Sequence, residues 1–160
     1  MAAQSPASPT YAIVESGSEH SSAIARLALQ AGMGALSDRG VSFVAVEDGA
    51  SDAAKGEGGE GESAGVLGFV RIVRSAGRDY ICPIVVDASA QGGGVGQALM
   101  TFAHERFGTL RFVARGEAVP FYESLGCRET SWSDIALDIS SDCVDCPDRA
   151  GCAPQPMVWD

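Results

Sequence analysis

Hydrophobic and polar positions along this chain switch between a period of two and a period near 3.6. Residues 10–15 alternate, and 42–47 (SFVAVE) and 64–74 (AGVLGFVRIVR) are rich in β-branched and aromatic residues, so each predicts a strand. Between the first two, 20–33 carries Ile24, Leu27 and Ala28 at helical spacing, with Gly32 and Gly34 as a stop. A second short helix is allowed before Gly40. Residues 80–87 (YICPIVVD) form a continuous apolar run, the pattern of a strand buried on both faces. Pro83 conflicts locally, because it has no N–H for a ladder, and it implies an edge or a bulge. A helix follows over 97–107, with Leu99, Phe102 and Ala103 on one face, and then a short strand over 109–114. Residues 118–125 predict a helix with Pro120 in its first turn, where a missing N–H does no harm, and Gly126 as its end. Residues 127–139 read as strand-like, and 157–159 as a last strand.

Two stretches fall outside this patterning. Residues 1–9 read as a disordered lead-in. Residues 49–63 are mostly Gly, Ala, Ser, Glu and Asp, with no apolar side chain larger than Ala. Such a segment has nothing to bury and predicts a flexible loop, the overgrown tip of a hairpin between the second and third strands. The chain of 160 residues is the size of one domain, taken as 10–160, and holds enough apolar residues, 46%, for a core without disulfide staples.

The formal charge of −10 argues against nucleic acid as a partner, since binding it needs a basic face. No apolar run reaches the roughly 20 residues that span a bilayer. The first ten residues lack a basic start and an apolar stretch, so no secretory signal is expected, and the cytoplasm is the expected location.

The sharpest chemical signal is Gln91-Gly92-Gly93-Gly94-Val95-Gly96-Gln97, which leaves a buried strand and opens an amphipathic helix. Glycines let backbone N–H groups approach a ligand, and a helix start adds unpaired donors and the positive end of the dipole. The combination suits a pyrophosphate. A Walker loop needs Lys-Ser/Thr after its last glycine, where Gln97 stands; a Rossmann turn needs a third glycine at that same position.

The surrounding residues carry a family resemblance. IVVDASAQGGGVGQALM (84–100) resembles the acetyl-CoA-binding segment of GNAT N-acetyltransferases, with Gln91, Gly94 and Gly96 at its fixed positions. AVPFYESLGC (118–127) is similar to the family's second marker, one helix and one strand further on. The resemblance implies an α+β fold, layered α/β/α. Its central sheet is mixed, mostly antiparallel and of six to seven strands, splayed between strands four and five, with about four helices. It implies acetyl-CoA as co-substrate and a small-molecule or peptide amine as acceptor, and leaves a homodimer open. The backbone of Ile84, Val85 and Val86 would pair with the pantetheine arm, and the N–H groups of Gly92, Gly93, Gly94, Val95, Gly96 and Gln97 would hold the pyrophosphate. Tyr122 matches the tyrosine that protonates the leaving thiolate; a phenol suits this because its ordinary pKa of about 10 is close to that of a thiol.

Four departures from the family pattern stand out. The asparagine seven residues before the tyrosine is replaced by Arg115, a candidate for a cofactor phosphate or for the substrate, or a side chain that faces solvent. The fourth-strand glutamate that serves as base corresponds to Tyr80, and the fifth-strand alternative to Leu110. Glu47 and Asp79 are the nearest carboxylates by strand order. The phenylalanine after Leu-Gly is Cys127.

Cys143, Cys146 and Cys152 lie within ten residues, in a Cys-rich loop expected over about 141–155. Thiolates at this spacing suit zinc or an iron–sulfur cluster, but both want four ligands, so a fourth would come from Cys127 or Cys82. A loop of reduced thiols, or one disulfide with a spare thiol, is the plainer reading. Three functions follow: an N-acetyltransferase acting by direct attack in a ternary complex; a non-catalytic acyl-CoA-sensing module; or a metal- or redox-responsive protein built on the cysteines.

Overall fold

The computed structural model describes residues 10–48, 65–144, 146, 147 and 149–160. The expected lead-in over 1–9 and the expected flexible loop over 49–63 lie outside the described residues. Among the described residues seven strands form one sheet: β1 Tyr11–Glu15, β2 Val41–Glu47, β3 Val66–Ser75, β4 Arg78–Val86, β5 Leu110–Ala114, β6 Arg128–Glu129 and β7 Gln155–Trp159. Their spatial order is β1-β2-β3-β4-β5-β7-β6. Every pairing is antiparallel except that of β4 with β5. Among the described residues the helices are α1 Ser21–Gln30, α2 Val95–Phe107, α3 Val119–Leu125, α4 Leu137–Val144 and α5 Arg149–Cys152.

Strand alternation sorts the side chains onto two faces. One face of the sheet buries Phe43, Ala45, Val70 and Ile72 with Leu99, Met100 and Ala103 of α2. The other buries Val44, Phe69 and Val85 with Leu27 and Ala28 of α1. Further along that second face, Val73 and Tyr80 pack with Ile135 and Ile139 near the start of α4. Helices therefore cover both sides of a mixed sheet, the layering that the family resemblance implies.

Pro83 is accommodated by a bulge in the middle of β4. Val70 pairs with Ile84 and Ile72 with Ile81, so Cys82 and Pro83 together oppose Arg71. The extra residue keeps Ile81 and Ile84 on the α2 face, where both pack. The Cys82 carbonyl is satisfied from the side: Arg71 Nε donates to it at 2.6 Å. Arg71 is buried and also donates to the carbonyls of Ser37 (2.7 Å) and Arg39 (3.2 Å), which ties the segment after α1 onto the sheet.

The largest difference from expectation is over 127–139. Only Arg128–Glu129 pairs as a strand. Thr130 and Ser131 instead start turns through their hydroxyls: Thr130 donates to the Asp134 carboxylate, and Ser131 accepts from Ser133 N–H at 3.3 Å. The expected Cys-rich loop is likewise partly helical, since α4 runs through Cys143 and α5 ends at Cys152.

Candidate active site

Strands β4 and β5 run parallel but share a single register pair, Tyr80 with Arg111. Beyond it they part. β5 ends at Ala114, while β4 continues through Ile84, Val85 and Val86, which pair only with β3 on their other edge. A cavity of about 470 Å³ fills the gap. Its walls come from both faces of the sheet: Ile84, Phe112 and Tyr122 from the α2 face, and Val85, Met33 and Ala31 from the α1 face. It therefore passes through the sheet.

A second cavity of about 600 Å³ opens on the α2 face, lined by Gly92, Gly94, Gly96, Gln97 and Phe121. Ile84, Val86, Gln91, Ala118 and Tyr122 line both cavities, which makes them one continuous cleft. Gly92 and Gly94 sit at φ 83° and 85°, a conformation that costs any residue with a side chain about 1–2 kcal/mol. That geometry places Gly94 as the N-cap of α2. The first intrahelical bond is Ala98 N–H to the Gly94 carbonyl at 3.0 Å, so the N–H groups of Val95, Gly96 and Gln97 precede the ladder. Gln91 closes the end of β4 with its side chain, Nε2 donating to the Val86 carbonyl at 3.3 Å.

Asp87 holds the approach to this turn. Its carboxylate accepts from Ser89 N–H (2.9 Å) and Ser89 Oγ (2.7 Å) and pairs with Arg26 of α1 at 3.2 Å. These bonds, the Ser89 hydroxyl first, keep its carboxyl below the ordinary range.

Tyr122 lies on α3, where Phe112 and Phe121 pack on it with ring centroids at 4.7 and 5.1 Å. Burial, with a smaller effect from neighbouring Cys127, pushes its phenol up to about 12. The hydroxyl is therefore protonated throughout the neutral range. The Cys127 thiol is pushed up to about 11 by burial, which removes it as a nucleophile near neutrality.

The base candidates fall elsewhere. Tyr80 is fully buried; its hydroxyl donates to the Asp134 carbonyl (3.2 Å) and accepts from Ala136 N–H (3.1 Å). Its ring packs with Val73, Ile135 and Ile139, and it lines neither cavity. Glu47 is exposed at the end of β2 and also lines neither. Asp79 pairs with Arg74 at 3.2 Å. Arg115 follows β5 and lines the through-sheet cavity but not the glycine-lined one, and its Nη2 donates at 2.7 Å to the carbonyl of Ala31, the C-cap of α1. Among the described residues, Cys143, Cys146 and Cys152 included, no group of three or more His, Cys, Asp or Glu side chains is placed to hold a metal ion.

Sequence reasoning missed Phe121 and the wall supplied by α1. Phe121 is 40% exposed beside Gly96, whose added Cβ would lie 3.5 Å from its ring. A large aromatic next to Tyr122 on a short helix was the available signal. For Gln30, Ala31 and Met33 the sequence offers none, because their role depends on where α1 ends relative to the sheet.

Comparison with known proteins agrees with this geometry. The family model described as Acetyltransferase (GNAT) domain matches residues 38–129. The chain belongs to the GNAT acetyltransferase family. No curated protein sequence matches it. Among solved structures it is similar to N-acetylglutamate synthase from Neisseria gonorrhoeae, crystallised with coenzyme A and N-acetyl-glutamate, with a TM-score of 0.67 at 15% identity; 94% of this chain aligns with 35% of the synthase. It is similar to Ard1 from Thermoplasma volcanium, with a TM-score of 0.60 at 17% identity over 94% of this chain and 97% of the other. It is also similar to the ribosomal-protein-S18-alanine N-acetyltransferase from Escherichia coli, with a TM-score of 0.55 at 17% identity over 76% of this chain and 79% of that one. The chain thus spans about a third of the length of the synthase, and these likenesses establish the fold. Among the described residues no helix is long and apolar enough to cross a membrane.

Proposed function

We propose that the protein transfers an acetyl group from acetyl-CoA to an amine by direct attack within a ternary complex. The observation that carries this reading is the continuous cleft, in which one tyrosine, Tyr122, faces both the glycine-lined cavity and the gap through the sheet. The residues fit the co-substrate. The N–H groups at the start of α2, with the dipole behind them, suit a pyrophosphate, and the unpaired edge of Ile84–Val86 suits the amide-bearing pantetheine arm as an added strand. Phe121 adds an exposed apolar surface beside the turn.

Acceptor and thioester meet in the gap. The amine nitrogen bonds to the thioester carbonyl carbon, the carbon–sulfur bond breaks, and sulfur leaves with the electron pair. The Tyr122 hydroxyl supplies the proton that the thiolate takes and is reprotonated from solvent. Tyr80 and Glu47 lie off the cleft, so the surplus proton on nitrogen passes to water within it. The apolar walls, Ile81, Ile84, Phe112 and Val113 among them, limit how much water reaches the thioester.

An assay for CoA release with purified protein, acetyl-CoA and a panel of amines tests this. Amine-dependent release is expected. Binding of acetyl-CoA with no release for any amine would favour an acyl-CoA sensor instead.

A further inference from the structure

Arg115 is the one charged residue on the walls of either cavity among the described residues. On the reading above, the α2-face cavity takes the co-substrate, which leaves the α1-face end of the gap to the acceptor. Arg115 belongs to the second. It is absent from the glycine-lined wall, and its guanidinium leans onto the end of α1 through Ala31. A guanidinium has five N–H donors, and the structure assigns one of them, so the fork retains donors for a planar anion. Among the described residues no carboxylate lies within ion-pair distance of it. Gln30 and Ala31 bring the C-terminal end of α1 to the same wall, and the cation that a helix end of that polarity favours is Arg115 itself, held through the Ala31 carbonyl.

The geometry points to an acceptor whose amine stands next to a carboxylate, a free amino acid, with Arg115 as the residue that selects it. A polyamine or an aminoglycoside brings several positive charges, and the described wall offers them no carboxylate and one arginine. A lysine side chain of a protein has no anion near its amine and gains nothing from Arg115. A free amino acid satisfies this feature: its carboxylate pairs with the guanidinium, which holds the neighbouring amine at the same wall. The sequence left Arg115 between a cofactor phosphate and the substrate, and this proposal takes the second.

The test uses acceptors matched in skeleton that keep or lose the anion, compared per neutral amine because the amide also lowers the basicity of its amine: glycine against glycinamide, glutamate against its α-amide, with spermidine and a peptide amide as further members. With wild-type protein, kcat/KM for the acid is expected to exceed that for its amide twin at least tenfold. Arg115→Gln is expected to bring the pair to near parity by raising KM for the acid, while acetyl-CoA affinity from calorimetry stays within twofold. Arg115→Lys is expected to restore part of the preference. Preference for the amide twin or for spermidine overturns the proposal. So does an Arg115→Gln variant that loses tenfold in acetyl-CoA affinity with acceptor discrimination unchanged. If no acceptor turns over, calorimetry of glycine and glutamate into CoA-saturated protein decides, and no binding by either overturns it. Loss of the proposed function itself has a different signature: wild-type protein that takes up no acetyl-CoA.

Discussion

Tyr80 faces Arg111 where β4 and β5 meet, and that pair is the hinge point from which the cleft opens. The tyrosine sits where the family resemblance had put a base, yet both hydrogen-bonding roles of its hydroxyl are taken by the turn at Asp134 and Ala136. Tyr80→Phe removes a buried donor and acceptor together and is expected to cost about 1–3 kcal/mol of stability. Its kcat/KM at a temperature where both proteins are folded should match wild type within about threefold. A loss of about a hundredfold, in the range of general-base catalysis, would return Tyr80 to the chemistry.

Tyr122→Phe keeps the ring that packs on Phe112 and removes the proton. General-acid catalysis of this kind supplies about 10²–10⁴ in rate, so kcat should fall at least a hundredfold with acetyl-CoA affinity nearly unchanged. Steady-state kinetics beside calorimetry separates the two quantities.

The pH dependence follows from the same residue. The protonated phenol is the active form, and its pKa is raised to about 12, so protonation persists up to that pH. The alkaline side of the kcat profile should therefore show no fall through the ordinary tyrosine range near 10. A fall centred there would mean that Tyr122 is more solvated than its packing implies.

Arg71 ties the bulge to the segment after α1 through the carbonyls of Cys82, Ser37 and Arg39. Arg71→Met strips a charged donor from three carbonyls, each such bond being worth about 1.5–3 kcal/mol. Bonds within one network do not add, and the expected loss is about 3–5 kcal/mol, read as a drop in the denaturation midpoint. A change under about 1 kcal/mol would show that water replaces the guanidinium there.

Stability should also fall on the acid side. Asp87, Asp134 and Asp138 all have lowered folded-state pKa values, chiefly from hydroxyl donors: Ser89, Thr130 and Ser75 in turn. Lowered values stabilise the fold above the unfolded carboxylate pKa near 3.9, and that contribution is lost as pH falls through the lower, folded values. Thermal melts from pH 6 down to pH 3 should show it, and Asp87→Asn should flatten the curve.

Much of the strand and helix order was legible, because long apolar runs such as YICPIVVD and the amphipathic spacing of Leu99, Phe102 and Ala103 leave few alternatives. The glycine turn was legible for the same reason: positive φ at Gly92 and Gly94 is what glycine permits. Residues 127–139 were not, since their apolar content resembles a strand while hydroxyl side chains at Thr130 and Ser131 pull the backbone into turns. Arg115 was visible as a departure from the family pattern, but its face of the sheet depends on where β5 ends. The fate of Tyr80 depends on a turn 54 residues away in sequence, beyond any local pattern.

Calorimetric titration of acetyl-CoA into wild-type protein and a Gly96→Asp variant bears most directly on the cleft. Gly96 lies in the first turn of α2 on the glycine-lined wall, where an aspartate suits the helix dipole but confronts a pyrophosphate. Saturable binding by wild type, weakened at least tenfold in a variant of undiminished thermal stability, is the expected result. No uptake by folded wild-type protein, or equal affinity in the two, would contradict the assignment.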